Sequence, residues 1–373
     1  MVLRIEDLKE VCNTILPAVN SNELSSITET LQLLAEGGIL TLSVTNREYF
    51  VTVKLGVDPE EKFLATVNAN LFLKLVSQTT SEVIELTTTE TSLVFKGNGT
   101  YKLPLIYDND KLLELPKIEV NNVSVEFDID GNILLSVLNY NSKQITIGTL
   151  SRPVQKMFYI DEQGALTFTS GACINNFTLP KPVKMLINQR VVKLFKLFKA
   201  STVHFELGHD ALSDDIIQTK VKFENAKVCL TAILSCDDQL INSVPVTAIR
   251  GRATALYPYS VTFNKNELIE SIDRMRLFIS SISGVVSYAK FVFGKEFVTI
   301  SDVSAENRES IYYENAIESM DNDYCMYLDL NELSAILDTC NESHLIMRFG
   351  DSQAITFSRA NIINVIPEVR MGD

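Results

Sequence analysis

The sequence predicts an α+β protein made of three similar domains, each with two helices packed on antiparallel sheets. Three observations support this prediction. A helix-plus-strands unit recurs at domain-sized intervals, Gly- and Asn-containing turns separate alternating strands, and no strand–helix–strand alternation suggests a parallel sheet. The predicted domains are 1–121, 122–256 and 257–373.

The recurring unit is clearest in residues 70–106, NLFLKLVSQTTSEVIELTTTETSLVFKGNGTYKLPLI. It begins with an amphipathic helix and continues into strands that turn at the Gly-Asn-Gly of 97–99. The same order returns at 190–234 and at 331–367. Successive copies are roughly 120 to 140 residues apart, which suits a domain and is too long for a solenoid repeat.

A second helix-plus-strands unit precedes each copy of the first, at 5–55, 130–180 and 264–316. Each domain is therefore predicted to have two halves. Turn residues in LELPKIEVNN (113–122) and RGRATALYPY (250–259) interrupt the pattern and predict the junctions between domains.

Composition limits the compartment and the partners. The chain of 373 residues has 47 acidic and 33 basic side chains and a formal net charge of −14. This balance argues against a uniformly basic DNA-binding surface but leaves room for a local basic strip. We expect no membrane span and no signal peptide. Six scattered cysteines without a CxxC pair predict reduced, mostly buried thiols in a cytoplasmic protein.

The sequence offers no catalytic or metal-binding constellation. The histidines His204, His209 and His344 lie apart from Cys or Ser motifs and form no H-x-x-x-H pair. FDIDGN (127–132) resembles a calcium loop but lacks further acids and the closing Glu, so we interpret it as the N-terminal turn of a helix. We expect no enzymatic activity, no cofactor and no bound metal.

The segment 188–201, NQRVVKLFKLFKAS, is predicted to be an amphipathic helix with one basic face. In an α-helix Arg190, Lys193, Lys196 and Lys199 would rotate about 60° at each step, giving a broad exposed face without an acid. Two interpretations follow. The face is either a solvated surface that happens to be basic, or a surface that binds DNA backbone phosphates independently of sequence.

Four local segments, together with the three-domain repeat, carry a family resemblance. They are SVEFDIDGNILLSVLNY, RPVQKMFYIDEQGALTFTSGACI, SVTFNKNELIESIDRMRLFI and NVIPEVRM. In this order and spacing they resemble the start of the second domain, its loop and Thr-x-Gly turn, the helix opening the third domain and the C-terminus of bacterial DNA polymerase β sliding clamps. Over nearly its full length the chain resembles a divergent, phage-encoded member of that family.

The resemblance implies a non-enzymatic processivity factor. Two subunits would close head to tail into a ring, with sheets outside and helices lining a pore for double-stranded DNA. DNA polymerase and the clamp loader would bind through short peptide motifs. An acidic outer surface would repel DNA, while weak contacts between basic pore helices and phosphates would allow sliding.

The resemblance also implies site residues. Its DNA contacts would be Arg152, Lys156, Arg190, Lys193, Lys196 and Lys199. Its partner-peptide pocket would contain Phe158, Thr169, Gly171, Ile174, Pro245, Ile366, Pro367, Val369, Arg370 and Met371. Its homodimer interface would join Tyr101 and Leu103 on a first-domain edge strand to Phe278 and Ile279 at the end of a third-domain helix.

The chain departs from the family pattern in three places. SGAC at 170–173 replaces an Asp-Gly-His-Arg turn, Glu368 is inserted near the C-terminus, and the first-domain loop VNSNELSSITET lacks the family's basic residue. Ile366 and Val369 could alternatively belong to an ordinary edge strand. The main alternative for the whole chain is a structural or assembly protein of a phage virion, built of duplicated β-rich domains. A hydrolase or nuclease is a distant third.

Overall fold

The computed structural model describes residues 1–19, 26–147, 152–213, 216–234, 238–279, 287–350 and 354–369. The chain divides into two compact units. The first unit contains Met1–Leu135 and Arg190–Cys236, and the second contains Ser136–Gln189 and Asp237–Asp373.

Strands make up most of the regular structure of the described residues. In chain order they are β1 (Val2–Arg4), β2 (Thr30–Glu36), β3 (Ile39–Thr45), β4 (Tyr49–Gly56), β5 (Phe63–Asn68), β6 (Val83–Thr88), β7 (Ser92–Lys96), β8 (Thr100–Pro104), β9 (Tyr107–Asp108), β10 (Lys111–Leu112), β11 (Val123–Asp130), β12 (Met157–Asp161), β13 (Gly164–Phe168), β14 (Ala172–Asn176), β15 (Lys184–Asn188), β16 (Thr202–Ser213), β17 (Ile216–Glu224), β18 (Val228–Leu234), β19 (Tyr259–Asn264), β20 (Tyr288–Phe293), β21 (Phe297–Ser301), β22 (Arg308–Tyr312), β23 (Tyr324–Asp329), β24 (His344–Phe349), β25 (Ala354–Arg359) and β26 (Ile362–Pro367).

The helices are short. The α-helices are α1 (Ile5–Ile15), α2 (Ala69–Gln78), α3 (Gly131–Ser136), α4 (Ser142–Ile147), α5 (Gln189–Val192), α6 (Asp238–Asn242), α7 (Val246–Ala253), α8 (Lys265–Phe278) and α9 (Leu330–Leu337). A π-helical turn over Val137–Asn141 joins α3 to α4. Short 3-10 helices cover Leu16–Ala18, Ser26–Glu29, Pro153–Lys156 and Lys193–Phe198.

The first unit contains a four-stranded sheet in the order β1-β6-β7-β8 and an eight-stranded sheet in the order β11-β16-β17-β18-β4-β3-β2-β5. All the pairings in these two sheets are antiparallel. The pairing of β18 with β4 joins strands far apart in the sequence, with Leu230 opposite Val51. Both side chains are fully buried, so apolar packing supports the backbone pairing at this junction.

The second unit repeats this plan. Its eight-stranded sheet has the order β15-β12-β13-β14-β26-β25-β24-β19, and its four-stranded sheet has the order β22-β21-β20-β23. Here β14 pairs with β26, placing Ala172 opposite Val365 and Ile174 opposite Ile363. This junction positions the cavity described below.

Side-chain caps fix where three of the helices begin. The side chain of Asn68 accepts a hydrogen bond from the backbone of α2, and Asn264 and Asp329 do the same for α8 and α9. Such a cap contributes about 1 kcal/mol. The helices then bury one apolar face, as α1 does with Leu8 and Ile15. Apolar periodicity predicted these helices from the sequence, and the caps fix the residues at which α2, α8 and α9 begin.

Several predictions about the fold are confirmed. The protein is α+β with antiparallel sheets, and the turn at 97–99 connects β7 to β8. FDIDGN (127–132) runs from the end of β11 into the first turn of α3, which begins at Gly131, and the backbone N–H of Asn132 donates to Asp130 Oδ1 at 2.8 Å. Residues 113–122 contain no helix or strand. Helix α7, in contrast, extends into the other predicted junction, 250–259.

The predicted middle domain, 122–256, contributes strands to both compact units. Strands β11 and β16 to β18 belong to the sheet of the first unit, and β12 to β15 belong to the sheet of the second. The division into three domains stays a prediction, because strand pairing between predicted neighbours makes each large sheet continuous.

Candidate functional site

The basic segment is wound more tightly than the sequence analysis predicted. Asn188 ends β15, α5 covers only Gln189–Val192, and Lys193–Phe198 form a 3-10 helix. With about three residues per turn, side chains three positions apart lie above one another. Lys193 and Lys196 therefore form a narrow row, and the prediction of a broad basic face on an α-helix is wrong. We call Lys193, Lys196 and Lys199 the lysine row.

The apolar residues of the segment are compatible with the tighter winding, because several of them repeat every three positions. The buried side chains of the segment are Val191, Val192, Leu194, Phe195 and Phe198. Phe195 and Phe198 pack against Phe223 of β17, with ring centroids 5.1 and 6.2 Å apart. In a 3-10 helix, side chains three positions apart lie on the same side, so Val192, Phe195 and Phe198 share the buried side.

A glycine fixes the end of the segment. A Cβ atom at Gly131 would collide with the carbonyl oxygen of Phe198, and the Gly131 N–H donates to the Ser201 carbonyl at 2.8 Å. The Asp-Gly of FDIDGN thus has a structural role, in which the start of α3 approaches the chain directly after the lysine row.

The four basic side chains differ in their partners. Arg190 forms an ion pair with Glu48, with a nitrogen–oxygen distance of 3.3 Å. Lys193, Lys196 and Lys199 are exposed, and no ion pair joins them to any described residue. Glu48 lies 142 positions before Arg190, so sequence analysis of the segment alone could not identify this pair. Within this segment, Lys193, Lys196 and Lys199 are therefore the basic side chains available to a phosphate backbone.

The second unit contains a cavity of about 450 Å³, which we call the α7 cavity. Its walls come from α7, β14, β26 and the turn after β13. It is lined by Arg152, Gln155, Phe168, Thr169, Ser170, Gly171, Ala172, Pro245, Ala248, Ile249, Arg252, Val365 and Pro367. The volume and the mixture of apolar floor and polar rim suit a few side chains of a bound ligand.

Four residues of the predicted peptide pocket line the α7 cavity, namely Thr169, Gly171, Pro245 and Pro367. The structure therefore brings together residues from β13–β14, α7 and β26 that are up to 198 positions apart in the sequence, from Thr169 to Pro367. Their contact with a peptide stays a prediction.

The other predicted pocket residues lie elsewhere. Phe158, Ile174 and Ile366 are almost completely buried and do not line the cavity. For Ile366 the reason is strand alternation, because its neighbours Val365 and Pro367 face the cavity and it points into the core on the other side. Arg370 and Met371 lie outside the described residues.

Val369 is half-buried, and its backbone N–H donates to the Tyr327 carbonyl of β23 at 2.8 Å. This bond extends the edge of the four-stranded sheet. The edge-strand interpretation is wrong for Ile366, because β26 lies between β14 and β25, and Val369 lies beyond the end of β26.

Arg152 lines the α7 cavity, although the sequence analysis predicted it as a DNA contact. Its backbone N–H donates to Gln155 Oε1 at 2.9 Å, which fixes the 3-10 turn Pro153–Lys156. Lys156 is exposed at the end of that turn and does not line the cavity. The role of both residues in DNA binding stays a prediction.

A buried carboxylate holds one wall of the α7 cavity. Glu332 in the first turn of α9 is 1% exposed. Its Oε1 accepts from the Gly171 N–H at 3.0 Å and from Gln144 Nε2 at 2.9 Å, and its Oε2 accepts from Ser170 Oγ at 3.1 Å. Gln144 also donates to Thr169 Oγ1 at 3.0 Å. Glu332 thus fixes the turn that lines the cavity, a role that no local pattern in the sequence indicates.

The opposite wall is α7, a helix with no fully buried residue. Two contacts hold it. Ile249 packs on the small apolar cluster of Ala172 and Val365. Arg250 forms a bidentate ion pair with Asp161, both nitrogen–oxygen distances being 2.7 Å. This hydrogen-bonded pair raises the pKa of Arg250 above its ordinary value. Such forked pairs fix geometry as well as charge.

The predicted dimer-interface residues lie at two different kinds of surface. β8 is an edge strand, on which Tyr101 is 44% exposed and Leu103 only 2%. Leu103 packs into the core, so β8 offers its backbone and Tyr101 rather than the Leu103 side chain. At the end of α8, Phe278 is 60% exposed, whereas Ile279 packs partly against the core.

Other chemistry gains little support from the described residues. Among them, no group of three or more His, Cys, Asp or Glu side chains is arranged to hold a metal ion. None of their helices is both long and apolar enough to cross a membrane. Cys12, Cys173 and Cys340 are buried, and burial raises the pKa of the Cys12 and Cys173 thiols to about 12.

Glu332→Gln tests the buried carboxylate. Burial raises the pKa of Glu332 above its ordinary 4.5, against the opposing hydrogen bonds from Gln144, Ser170 and Gly171. The folded state therefore holds this proton more tightly than the unfolded state. The stability that the proton provides is present below pH 4.5 and is lost as pH rises through the raised pKa. As pH rises through that window, the free energy of unfolding of the native chain should fall relative to that of the variant. Urea unfolding followed by circular dichroism measures this difference.

Glu267→Gln is the matched control, because Glu267 occupies the same position after the cap of α8 and is exposed. Its free energy of unfolding should stay close to that of the native chain, because single substitutions of exposed residues contribute little to stability. An equal, pH-independent difference for both variants would contradict the account of Glu332.

Comparison with solved structures finds full-length similarity to bacterial sliding clamps. The DNA polymerase III subunit beta of Pseudomonas aeruginosa is 14% identical over 100% of both chains, with a TM-score of 0.79. The DNA polymerase III beta chain of Streptococcus pneumoniae is 16% identical over 99% of both chains, with a TM-score of 0.80. The Helicobacter pylori beta clamp bound to a DNA ligase peptide is 16% identical over 99% of both chains, with a TM-score of 0.73.

No family model matches the sequence, and no curated protein matches it by sequence comparison. The likeness is therefore one of structure, and it extends over the complete described architecture. The chain has the fold of the bacterial DNA polymerase III beta sliding clamps.

Proposed function

We propose that this protein is a DNA sliding clamp, in which two copies form a ring around duplex DNA and tether a DNA polymerase. The observation that carries the proposal is the similarity of fold to bacterial beta clamps over 99% or more of both chains. The proposal includes the three domains 1–121, 122–256 and 257–373, a cytoplasmic location and a role that is not enzymatic.

The lysine row supports the DNA-binding part of the proposal. Lys193, Lys196 and Lys199 carry charges that no described acid neutralises, on a chain of net charge −14. Exposed lysines bind phosphates as point charges without reading bases, so their contacts can form and break along any sequence. A ring held by topology needs only such weak contacts, and weak contacts permit sliding.

The α7 cavity supports the tethering part. It combines an apolar floor with polar groups held in place by Glu332 and by the Arg250–Asp161 pair. Because its walls are already held in place, a groove of this kind binds a short extended peptide with little loss of conformational entropy in the protein. The Helicobacter pylori clamp has been solved with a DNA ligase peptide. We infer that the cavity accepts peptide motifs of the polymerase and of the clamp loader.

Unpaired strand edges support the homodimer. In the described residues β8 ends the four-stranded sheet of the first unit, and β22 ends that of the second. Exposed edges tend to pair with other chains unless they are covered. Pairing β8 of one copy with β22 of the other, beside Phe278, would cover both edges. The surface that one copy contributes differs from the surface that the other contributes, so the contact is head to tail. Two such contacts close a ring of two copies when a half turn relates one copy to the other.

Reversing the charges of the lysine row tests the DNA surface. Lys193→Glu, Lys196→Glu and Lys199→Glu together should leave the melting temperature almost unchanged, because exposed charges contribute little to folding. They should weaken binding to duplex DNA and flatten its salt dependence by about 0.9 in log–log slope for each lost phosphate contact. Fluorescence anisotropy with a labelled duplex over a salt series measures both quantities.

The triple variant Lys62→Glu, Lys111→Glu and Lys117→Glu is the control, since these exposed lysines of the first unit change the net charge equally. It should bind DNA with nearly native affinity. A lysine-row variant that keeps native affinity and native salt slope would leave the solvated-surface interpretation in place.

Phe278→Asp tests the dimer interface. Phe278 is 60% exposed in the chain, so the substitution should preserve the fold. In the proposed interface it would bury an unpaired charge, at a cost of several kcal/mol, and dimers should dissociate into folded monomers. Light scattering gives the mass, and circular dichroism checks the fold.

Leu256→Asp is the control, because Leu256 is a fully exposed apolar residue of the same unit. It should remain dimeric. If Phe278→Asp also remains dimeric, the assignment of the end of α8 to the interface is refuted.

A further inference from the structure

Helix α7 has few anchors in the core of the second unit. No residue from 245 to 260 is buried, whereas Val244 before this stretch and Val261 after it are. Ile249 and Ala253 are only partly buried, against a small apolar cluster. Regions with few buried apolar contacts are the ones that open most easily in a folded protein. Apolar packing alone therefore holds α7 weakly.

One ion pair joins α7 to the large sheet of the second unit. Among the described residues, the hydrogen bonds of α7 stay within 244–257, apart from the two that Arg250 donates to Asp161 at 2.7 Å. Asp161 ends β12 and is buried, and its Oδ1 also accepts from the Gln163 N–H at 3.0 Å. The carboxylate is thus fixed at the end of a strand, and it fixes α7 through Arg250.

Open space lies on both sides of α7. The α7 cavity is on one side, and a second cavity of about 520 Å³, which we call the rear cavity, is on the other. Besides α7, the rear cavity is lined by side chains of α6, β12 and β15, among them Asn242, Tyr159 and Lys184. Pro245 and Ala248 line both cavities. Helix α7 is therefore a thin wall, which can move without displacing a close-packed core.

The residues of α7 form a weak helix. Eight residues are too few for a stable helix in water without tertiary contacts, and Val246, Thr247 and Ile249 are β-branched. Gly251 lies inside the helix, where glycine is less favourable than alanine. Once it leaves the sheet, α7 should therefore lose its helical hydrogen bonds, and its backbone amides should exchange with water.

We propose that α7 is a hinged wall that leaves the sheet as a unit, and that Asp161 is the positioning residue that keeps this wall closed. The hinges are Pro245, which follows the buried Val244, and the turn after α7. Opening would join the two cavities and expose Ala172 and Val365, each of which is 4% exposed when the wall is closed. This motion belongs to the chain alone and requires no peptide in the cavity.

Asp161→Asn tests the hinged wall, because it removes the charge that binds Arg250 and leaves the sequence of α7 unchanged. The amides of 246–253 should exchange on the order of tenfold faster than in the native chain, because hydrogen bonds between charged groups are the strong ones. The amides of β25, in the core of the same unit, should keep their native rates. Hydrogen exchange followed by mass spectrometry measures both segments, and tryptic cleavage after Arg252 should accelerate with α7.

Gly251→Ala should have the opposite effect. A Cβ atom at Gly251 would meet no atom within 4 Å, so the substitution strengthens the helix without a clash. Exchange of the α7 amides should slow by about two- to fivefold.

Glu332→Gln is the matched control, since it removes a second buried carboxylate from the opposite wall of the α7 cavity. Its partners are Gln144, Ser170 and Gly171, so the α7 amides should exchange at native rates.

Native exchange of the α7 amides in the Asp161→Asn variant would overturn the proposal, since Asp161 would then not hold the wall. Equal acceleration in α7 and β25 would also overturn it, because the second unit would then open as a whole. Neither result bears on whether the α7 cavity binds a peptide.

Discussion

Antiparallel pairing between strands distant in sequence is the interaction on which the rest of the structure depends. In the second unit β14 pairs with β26, and Ala172 and Val365 lie opposite each other. Both side chains then line the α7 cavity, so the cavity floor exists only because this pairing forms. In the first unit the pairing of β18 with β4 has the same role for the sheet, and Phe223 of the neighbouring β17 supports the lysine row. The candidate sites therefore depend on contacts of high sequence separation.

Charge is the second constraint. An acidic chain that binds a polyanion must leave some cations unpaired, and the structure distinguishes these from paired ones. Arg190 is paired with Glu48 and Arg250 with Asp161, whereas the lysine row and the cavity arginines have no described acidic partner. The paired arginines hold walls and strands in place. The unpaired lysines are available to a phosphate backbone, and the proposal for DNA binding rests on this difference.

Local signals predicted much of the fold. The recurring helix-plus-strands units predicted α1, α2, α8 and α9, and the Gly-Asn-Gly turn predicted the β7–β8 hairpin. The 3-10 winding of the basic segment was missed because its buried residues, Val191, Leu194, Phe195 and Phe198, also fit one face of an α-helix, so the apolar pattern alone does not distinguish the two kinds of helix. Ile366 points into the core whereas its neighbours Val365 and Pro367 line the cavity, and this difference could be recognised only once the pairing of β26 was known. Glu332 and Glu48 could not be predicted, because their partners lie more than 100 positions away.

The central claim is that topology, rather than affinity, would hold this protein on DNA. The most direct measurement assembles the protein on nicked circular DNA with a clamp loader and then raises the salt to 1 M, where the Debye length is about 3 Å and phosphate contacts are screened. The account predicts that the protein stays on the circle and leaves when a single cut linearises the DNA. Release from the intact circle at high salt, or equal retention on circular and linear DNA, would contradict it.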